Sequence, residues 1–452
     1  MICMEKINNE LKLKQKILND VLEFYLNSRD CNGVSFLNLY EKYGRKSFKI
    51  IKELVKENKI DLHFSDLNPH VMQFDPVSKE DQLGEFNRKL KLGLHRKNTK
   101  DKLFKKINIQ TDYFCCCLYP DKKLIAKKIK YKFMNKPFSR ELALNRVIFD
   151  FRVFDNKFLL PFVNDPRYHH HQGDYSGSIS YSEAQKIKSD QKFIPHYYFA
   201  LKKSDKSVRQ IAMLLCDLHD LPSSIQKELK KFELNKKDFI LHPISQQIIY
   251  GNWPEYISIF SAFCYELKYI NIMCIANFSL PLFKKTYEDE ERPINFTFLV
   301  IPTEEYYQSF LHTLDIMISD NINLDFFKLN RWKVKLFKET QDHEGNKYKQ
   351  PKGALNLLKD WLLQNLHLYN PEITIHPANE IYKQFNEIRK LRSMGKAHNI
   401  IANKWDESLF KKQIDIIKSS YEKLRLLRLI LANLPKKITI DKIIYEGKIL
   451  CF

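Results

Sequence analysis

Apolar residues recur every three or four positions along much of the chain, which is the spacing of amphipathic helices. Near the N-terminus this spacing predicts a helix over residues 4–28, whose apolar face includes Leu18, Leu22 and Tyr25. The same spacing predicts further helices over Val208–Asp220, Ser223–Phe232, Gly251–Phe278, Glu304–Asn321, 354–369, 377–394 and 407–435. The fold is therefore predicted to be mainly α, with short strands in the central region.

Between residues 35 and 74 the pattern changes from helical to strand-like. A helix over Ser35–Tyr43, a break at Gly44 and a helix over Lys46–Asn58 precede two short strands, Ile60–Phe64 and Val71–Phe74. This order of helix, turn, helix and hairpin is that of a winged helix. We expect the second helix to be a recognition helix whose cations reach phosphates: Arg45, Lys46, Lys49 and Lys52. Docking of another protein is the alternative use of such a module.

The length of the chain predicts several domains, because 452 residues exceed what one hydrophobic core usually holds. We predict a winged-helix-like module over residues 1–80 and a basic, aromatic α+β region over 81–195. A central helical domain follows over 196–350, and a helical domain with a strand-like tail ends the sequence over 351–452.

The chain carries a formal net charge of +21, which favours a polyanionic partner, either nucleic acid or an anionic membrane surface. The charge is concentrated over residues 86–136, which hold 16 Lys or Arg and 3 Asp with interleaved aromatic residues. Cations that follow phosphates and rings that stack on bases suit a nucleic-acid groove, with Arg96 and Lys97 as candidate contacts. A solvated, lysine-coated helix beside a core strand (TDYFCCCLY) is the alternative, and the excess of lysine also fits an AT-rich genome.

Absent motifs disfavour several classes of protein. Neither GxGxxG nor GxxxxGK[ST] occurs, so nucleotide binding through a Rossmann turn or a P-loop is not expected. The nine cysteines include no C-x-x-C pair, which predicts reduced thiols in a cytoplasmic protein. No run of about 20 apolar residues and no signal-peptide core occurs, so neither a membrane span nor a membrane partner is expected.

The segment NDPRYHHHQGDYSG predicts a turn-rich loop with concentrated polar chemistry: Arg167, His169, His171 and Asp174. Alternate residues of an extended chain point the same way, so His169 and His171 could converge with Asp174 on a metal. No second cluster supports such a site. We favour a hydrogen-bonded structural loop or a substrate-contacting loop, and we expect no metal and no other cofactor.

The run NEIRKLRSMGKAHNIIAN carries the most specific candidate chemistry. Arg392 and Ser393 lie near the end of one predicted helix, Gly395 is expected to break the chain, and His398 opens the next segment. An Arg, a polar residue and a His at this spacing, inside a helical module over roughly 350–435, resemble the motif of the HEPN superfamily. The remainder, with RPINFTFLVIP, MISDNINLDFF and DPRYHH, resembles uncharacterised bacterial proteins that carry such a tail, some of them in anti-phage or abortive-infection systems.

The resemblance implies a HEPN-like helical bundle and a metal-independent endoribonuclease of toxin or anti-phage systems, active as a homodimer with a composite site. RNA would be the substrate, and DNA is a further possible partner. His398, with an ordinary pKa near ~6.5, suits proton transfer at the 2′- and 5′-oxygens. Arg392 suits stabilisation of the charged phosphorane. Glu387 and Arg389 are expected to orient Arg392 or the phosphate, and Asn399 to hold the substrate.

Two alternatives compete with the ribonuclease. One is a non-catalytic, winged-helix nucleic-acid-binding regulator that uses its helical C-terminal domain for dimerisation. The other is a metal-dependent hydrolase built on the DPRYHHHQGD segment. Arg392 and His398 would then serve only to cap and connect adjoining helices.

Overall fold

The structure is a computed structural model that describes residues 2–64, 77–92, 96–98, 110–112, 115–145, 147–181, 194–288, 291–329, 331–366, 376–397 and 404–452. Its helices are α1 Ile2–Asn27, α2 Phe36–Tyr43, α3 Lys46–Lys56, α4 Lys79–Leu92, α5 Lys122–Lys132, α6 Pro137–Asn145, α7 Leu160–Val163, α8 Leu215–Asp220, α9 Ser223–Lys231, α10 Pro243–Ile249, α11 Ile259–Phe278, α12 Glu304–Asp315, α13 Ala354–Asn365, α14 Pro377–Ala397, α15 Ser408–Leu431 and α16 Lys442–Tyr445. Its strands are β1 Val34–Ser35, β2 Ile60–His63, β3 Arg96–Asn98, β4 Gln110–Asp112, β5 Cys117–Pro120, β6 Phe151–Phe154, β7 Tyr168–Gln172, β8 Ser176–Tyr181, β9 Ile194–Lys202, β10 Asp205–Leu214, β11 Glu233–Leu234, β12 Phe239–Leu241, β13 Ile257–Ser258, β14 Phe337–Gln341, β15 Lys347–Pro351 and β16 Ile449–Leu450.

The chain forms two compact units, each assembled from separate stretches of sequence. Unit 1 comprises Met1–Phe154, Ser180–Tyr197 and Ala212–Lys236, and unit 2 comprises Asp155–Ile179, Tyr198–Ile211 and Lys237–Phe452. Helices hold more residues than strands, so the prediction of a mainly α protein with more than one domain is confirmed. This division is coarser than the four predicted domains, which stay a prediction.

The N-terminal part of unit 1 is a helical pair beside a three-stranded antiparallel sheet. The Ser35 hydroxyl caps α2 by accepting a hydrogen bond from the N–H of Leu37, and Gly44 ends α2 with a φ of +64° that favours glycine. The sheet has the order β1-β5-β2, with Ser35 opposite Cys117 and Leu62 opposite Leu118. Its core is closed by apolar residues of α1, α2 and α3.

The strand that pairs with β2 comes from much farther along the chain than the pattern predicts. The predicted second strand, Val71–Phe74, lies outside the described residues. The pairing observed with β2 is made by β5, which comes from the segment TDYFCCCLY. The last three residues of that segment, Cys117–Tyr119, lie in β5, where Leu118 and Tyr119 are buried.

Unit 2 is built around helices that share one hydrophobic core. Apolar residues of α11, α12, α13, α14 and α15 belong to the same buried cluster. The predicted C-terminal helices therefore pack against helices from the predicted central domain. The strand-like tail contains α16 and then β16, which pairs in parallel with β13.

The longest apolar helix of unit 2, α11, is a core helix. It is the one helix in the described part of the chain that is long and apolar enough to cross a membrane, but 67% of that segment is buried within the structure. Its buried Glu266 pairs with Arg428 of α15, with Nε to Oε2 at 2.5 Å and Nη2 to Oε1 at 3.2 Å. Glu266 therefore has a partner, as a carboxylate at a core position requires.

One predicted helix is a strand over most of its length. The helix predicted over Val208–Asp220 is strand β10 up to Leu214 and becomes helical, as α8, only at Leu215. The reason is that the short apolar run over residues 211–216 fits a strand buried on both faces as well as it fits a buried helix. Residues 337–351 contain the exposed hairpin β14–β15.

A buried asparagine connects three backbone segments of unit 2. Asn156 donates from Nδ2 to the carbonyl oxygens of Arg209 at 3.0 Å and Val300 at 2.8 Å. Its Oδ1 accepts a hydrogen bond from the N–H of Ile211 at 2.8 Å. Since Asn156 is fully buried, these bonds satisfy backbone groups that have no access to water.

Candidate functional site

The predicted catalytic arginine lies on α14 and contacts a buried carboxylate of α12. Nη1 of Arg392 donates to Oδ2 of Asp315 at 2.6 Å. The Asp315 side chain is fully buried, whereas the Arg392 side chain is 22% exposed. A buried carboxylate is costly unless it is paired, so Arg392 neutralises Asp315 in the fold, whatever it does for a substrate.

Two acidic side chains face α14 because the helix that carries them changes its winding. Directly after α12, residues Ile316–Asp320 form a π-helical turn. In an α-helix, residues five apart lie about 140° apart around the axis. The wider π turn brings Asp320 to the side of Asp315, and such turns occur frequently at functional sites.

The supporting residues predicted around Arg392 have different surroundings. Arg389, one turn earlier on α14, donates from Nη2 to Oδ1 of Asp320 at 3.4 Å, and its Nε lies 3.9 Å from Oδ2 of Asp315. Ser393 donates from its hydroxyl to the Arg389 carbonyl at 2.8 Å and so bonds to its own helix. Glu387 is exposed. Arg389 and Arg392 thus form one charge cluster with the two aspartates.

The predicted break at Gly395 is wrong, because α14 continues through it to Ala397. A single glycine costs a helix only about 1 kcal/mol relative to alanine, which is too little to end a helix anchored by its packing. His398 and Asn399 lie outside the described residues. The structure therefore places the arginine of the predicted motif and leaves its histidine a prediction.

Asp315 and Asp320 are the residues of this cluster that the sequence interpretation missed. Asp315 lies four residues after Leu311 and eight after Tyr307, on the apolar face of the predicted helix over Glu304–Asn321. A charged residue in such a stripe indicates either a buried ion pair or a site. That signal was present in the sequence.

The cations predicted to contact nucleic acid on α3 are mostly exposed, but they are not equivalent. Arg45, Lys46 and Lys49 are exposed, and Lys52 is half-buried. Lys49 is engaged by Glu10 at 2.5 Å and lies 3.8 Å from Glu53. Arg45 and Lys46 are thus the better candidates for phosphate contact.

The predicted contacts Arg96 and Lys97 belong to a short antiparallel pair of strands. They lie in β3, where Arg96 is opposite Asp112 and Lys97 is opposite Thr111 of β4. This describes their backbone alone, and their role in nucleic-acid binding stays a prediction.

The histidine-rich segment is not a loop, since Tyr168–Gln172 form strand β7 with alternating exposure. His169 and His171 point to the exposed face, and burial lowers the pKa of His170 to about 4. Arg167 pairs with Asp165 at 2.5 Å. No group of three or more His, Cys, Asp or Glu in the described ranges is arranged to hold a metal.

Asp174 is the one residue of this segment that is buried in a hydrogen-bond network. Arg292 donates to both of its carboxylate oxygens, from Nη1 at 2.8 Å and from Nη2 at 3.1 Å. The hydroxyls of Ser258 and Thr297 also donate to it. Asp174 therefore holds three segments of unit 2 together.

A cavity of about 490 Å³ lies beside this network, within the size range of small-molecule sites. Its walls include Arg292, the ion pair of Lys268 with Glu288 at 3.1 Å, and the rings of Tyr265 and Tyr287. Burial raises the pKa of the Cys264 thiol in its wall to about 12, so this cysteine is not an activated nucleophile. No sequence motif indicated this cavity.

Comparisons of the chain with protein-family models, with curated proteins and with solved structures give no match.

Proposed function

We propose that the chain is a metal-independent endoribonuclease of the HEPN type, with Arg392 as its phosphate-binding residue and His398 as its proton-transfer residue. The further parts of this proposal are a homodimer and a role as a toxin or anti-phage effector. The observation that carries the proposal is the partly exposed Arg392 guanidinium, anchored at one nitrogen by Asp315.

Anchoring at one nitrogen leaves most of the guanidinium available to a ligand. An arginine has five N–H groups in a planar fork. Among the described residues, the recorded hydrogen-bond partner of this fork is Asp315, through Nη1. The Nε and Nη2 edges can therefore donate in parallel to two phosphate oxygens. A donor that is already oriented costs little reorganisation when charge develops on the phosphate.

The reaction needs one more group, which His398 would supply. The 2′-oxygen of the substrate attacks the adjacent phosphorus while a base takes its proton. The bond to the 5′-oxygen then breaks, and the protonated histidine gives a proton to the leaving oxygen. The products are a 2′,3′-cyclic phosphate and a 5′-hydroxyl. Arg392 stabilises the charge of the phosphorane between these steps.

The test is cleavage of a labelled RNA by the full-length protein in the presence of EDTA. We expect the wild type to cut, and His398→Ala and Arg392→Ala to lose at least roughly 100-fold in rate, as for the removal of an acid–base or charge-stabilising group. A wild type that leaves the RNA intact overturns the proposal, and so does a His398→Ala variant that cuts equally well.

Arg392→Lys separates catalysis from packing, because lysine keeps a charge for Asp315 but lacks the planar fork. We expect this variant to retain most of the stability of unit 2 and to lose cleavage. Equal cleavage by Arg392→Lys and the wild type would show that the arginine only neutralises Asp315.

A second candidate function is a nucleic-acid-binding regulator without catalysis. It is favoured by the helical pair α2–α3 beside the β1-β5-β2 sheet, which fits a winged-helix-like module with a long insertion before its last strand. We expect Arg45→Gln and Lys46→Gln each to reduce the slope of log K against log salt by about 0.9 on duplex DNA. Lys49→Gln is the matched control, since Glu10 already engages that lysine. Equal slopes for all three variants and the wild type would exclude α3 as the contact.

A further inference from the structure

We infer that the exposed face of α5 is a binding surface for single-stranded RNA. This inference deepens the proposed function, on which it rests for the choice of RNA as the ligand. The face is called the α5 stripe here and comprises Lys123, Lys127, Lys130 and Tyr131.

The α5 stripe follows from the helical period. The apolar residues Ile125 and Ile129 are fully buried against unit 1. The stripe residues are spaced at four, seven and eight positions from Lys123, which places them together on the opposite side of the helix. Each of the three lysines is exposed, and Tyr131 is 81% exposed.

Other lysines of α5 make contacts that stabilise the fold, whereas the lysines of the α5 stripe make no such contact with the described residues. Lys128 and Lys132 lie on the flank towards α1, where they bond to Glu23 at 2.7 Å and to Asn27 at 2.5 Å. The lysines of the stripe have no ion pair recorded with any residue that the structure describes. Moreover, Lys123 lies in the first helical turn, where the helix dipole disfavours a cation.

The surrounding sequence offers the stripe no carboxylate of its own. No Asp or Glu occurs between Lys122 and Arg140. The cap residue Asp121 accepts a hydrogen bond from the N–H of Lys123 at 2.8 Å, so its carboxylate is used by the helix end. A concentrated positive surface of this kind matches the charge of a phosphate backbone.

The exposed tyrosine selects the kind of polyanion. Insertion of α5 into an anionic membrane would need a free apolar helix face, but that face is already buried in unit 1, so a membrane could be held by charge alone. A ring beside a row of lysines can instead stack on a base while the cations follow the phosphates. Stacking of this kind requires an unpaired base, which a single strand offers and a duplex does not.

The size of the expected effect follows from counterion release. Each phosphate that is neutralised on a single strand contributes about 0.7 to the salt slope, so loss of three lysines should reduce the slope by about 2. Loss of the Tyr131 ring should weaken binding by roughly 10-fold, while Tyr131→Phe should keep the stacking.

The test measures binding of a fluorescent 2′-O-methyl oligouridylate to the full-length protein over a range of salt. This ligand lacks the nucleophilic hydroxyl, so binding is separated from cleavage. The variant replaces the three stripe lysines with glutamine. A matched control replaces three exposed lysines of the β14–β15 hairpin, Lys338, Lys347 and Lys349, which gives the same change in net charge.

We expect the stripe variant to lose affinity and about 2 from the salt slope, and the hairpin variant to retain both. Equal behaviour of the two triple variants overturns the inference, because binding would then respond to net charge alone. Preferential binding of phosphatidylserine vesicles through the stripe overturns it as well.

If the wild type cleaves RNA but the stripe variant binds the oligouridylate as well as the wild type does, the α5 surface is refuted and the ribonuclease proposal stands. Binding through the stripe without any cleavage by the wild type refutes the ribonuclease and leaves the surface.

Discussion

Removal of one partner from the buried pair of Glu266 and Arg428 should cause a large and pH-dependent loss of stability in unit 2. Both side chains are almost completely buried, at 0% and 5% exposure, and they are joined by two hydrogen bonds. Burial raises the pKa of the Glu266 carboxyl, and the adjacent Arg428 opposes that rise. Arg428→Met removes the opposing charge and leaves a carboxylate in the core.

The expected loss for Arg428→Met is about 3–5 kcal/mol, the range found when one partner of a buried pair is removed. The double variant Glu266→Leu with Arg428→Met should recover most of that loss, because neither charge is then desolvated. A domain is commonly stable by only about 5–15 kcal/mol, so the single variant should lose a large share of its stability.

The stability deficit of Arg428→Met should depend on pH in a definite direction. In Arg428→Met, the folded state raises the pKa of Glu266 above the unfolded value of 4.5 and so binds the proton more tightly than the unfolded state does. The stability deficit should therefore be largest at neutral pH and should shrink as the pH falls towards 4.5. Protonation is what makes the buried carboxyl tolerable in the variant.

Urea unfolding followed by tryptophan fluorescence measures this effect in unit 2 alone. The four tryptophans of the chain, at positions 253, 332, 361 and 405, all belong to that unit. The reasoning is refuted if the single and double variants are destabilised equally. It is also refuted if the deficit of Arg428→Met is the same at both ends of the pH range.

Two further predictions use the same unfolding assay. Asn156→Ala should lower the free energy of unfolding of unit 2 by about 3 kcal/mol, because the N–H of Ile211 and two carbonyl oxygens lose their hydrogen-bond partner. A loss below about 1 kcal/mol would contradict this prediction and would mean that water replaces the amide. Burial lowers the pKa of His242 to about 4, so the stability of unit 2 should fall as the pH drops from 6.5 towards 4, by about 2 kcal/mol at pH 5. The side chain of His242→Asn can still accept the hydrogen bond from the N–H of Ile244, but it does not titrate, so this variant should lose the pH dependence of stability. An unchanged pH profile would show that His242 is not the group responsible.

The sequence predicts best where local chemistry decides the structure. The turn between α2 and α3 can be predicted from the sequence because Gly44 takes a positive φ that other residues avoid. The need of the Glu266 carboxylate for a partner follows from the apolar helix around it, although the partner itself, Arg428, lies 162 residues later.

It predicts poorly where a distant segment decides. The apolar run of β10 fits both a helix and a strand, and only its pairing partners choose between them. The strand that pairs with β2 comes from Cys117–Pro120, beyond an insertion that no local pattern indicates. The partner of Arg392, Asp315, lies 77 residues earlier in the chain. The spacing between Arg392 and His398 therefore indicated the motif but not the carboxylate that binds the arginine.

The discontinuous make-up of unit 2 also constrains when its chemistry can exist. Strand β7 lies in the stretch Asp155–Ile179, whereas helices α10 to α16 come from the stretch after Lys237. During synthesis the early stretches leave the ribosome long before α14 and α15, the helices that complete the core. The pairing of Arg392 with Asp315 can thus form only after α14 has been synthesised. If the protein cuts RNA as proposed, this order delays cleavage until α14 has joined the core of unit 2.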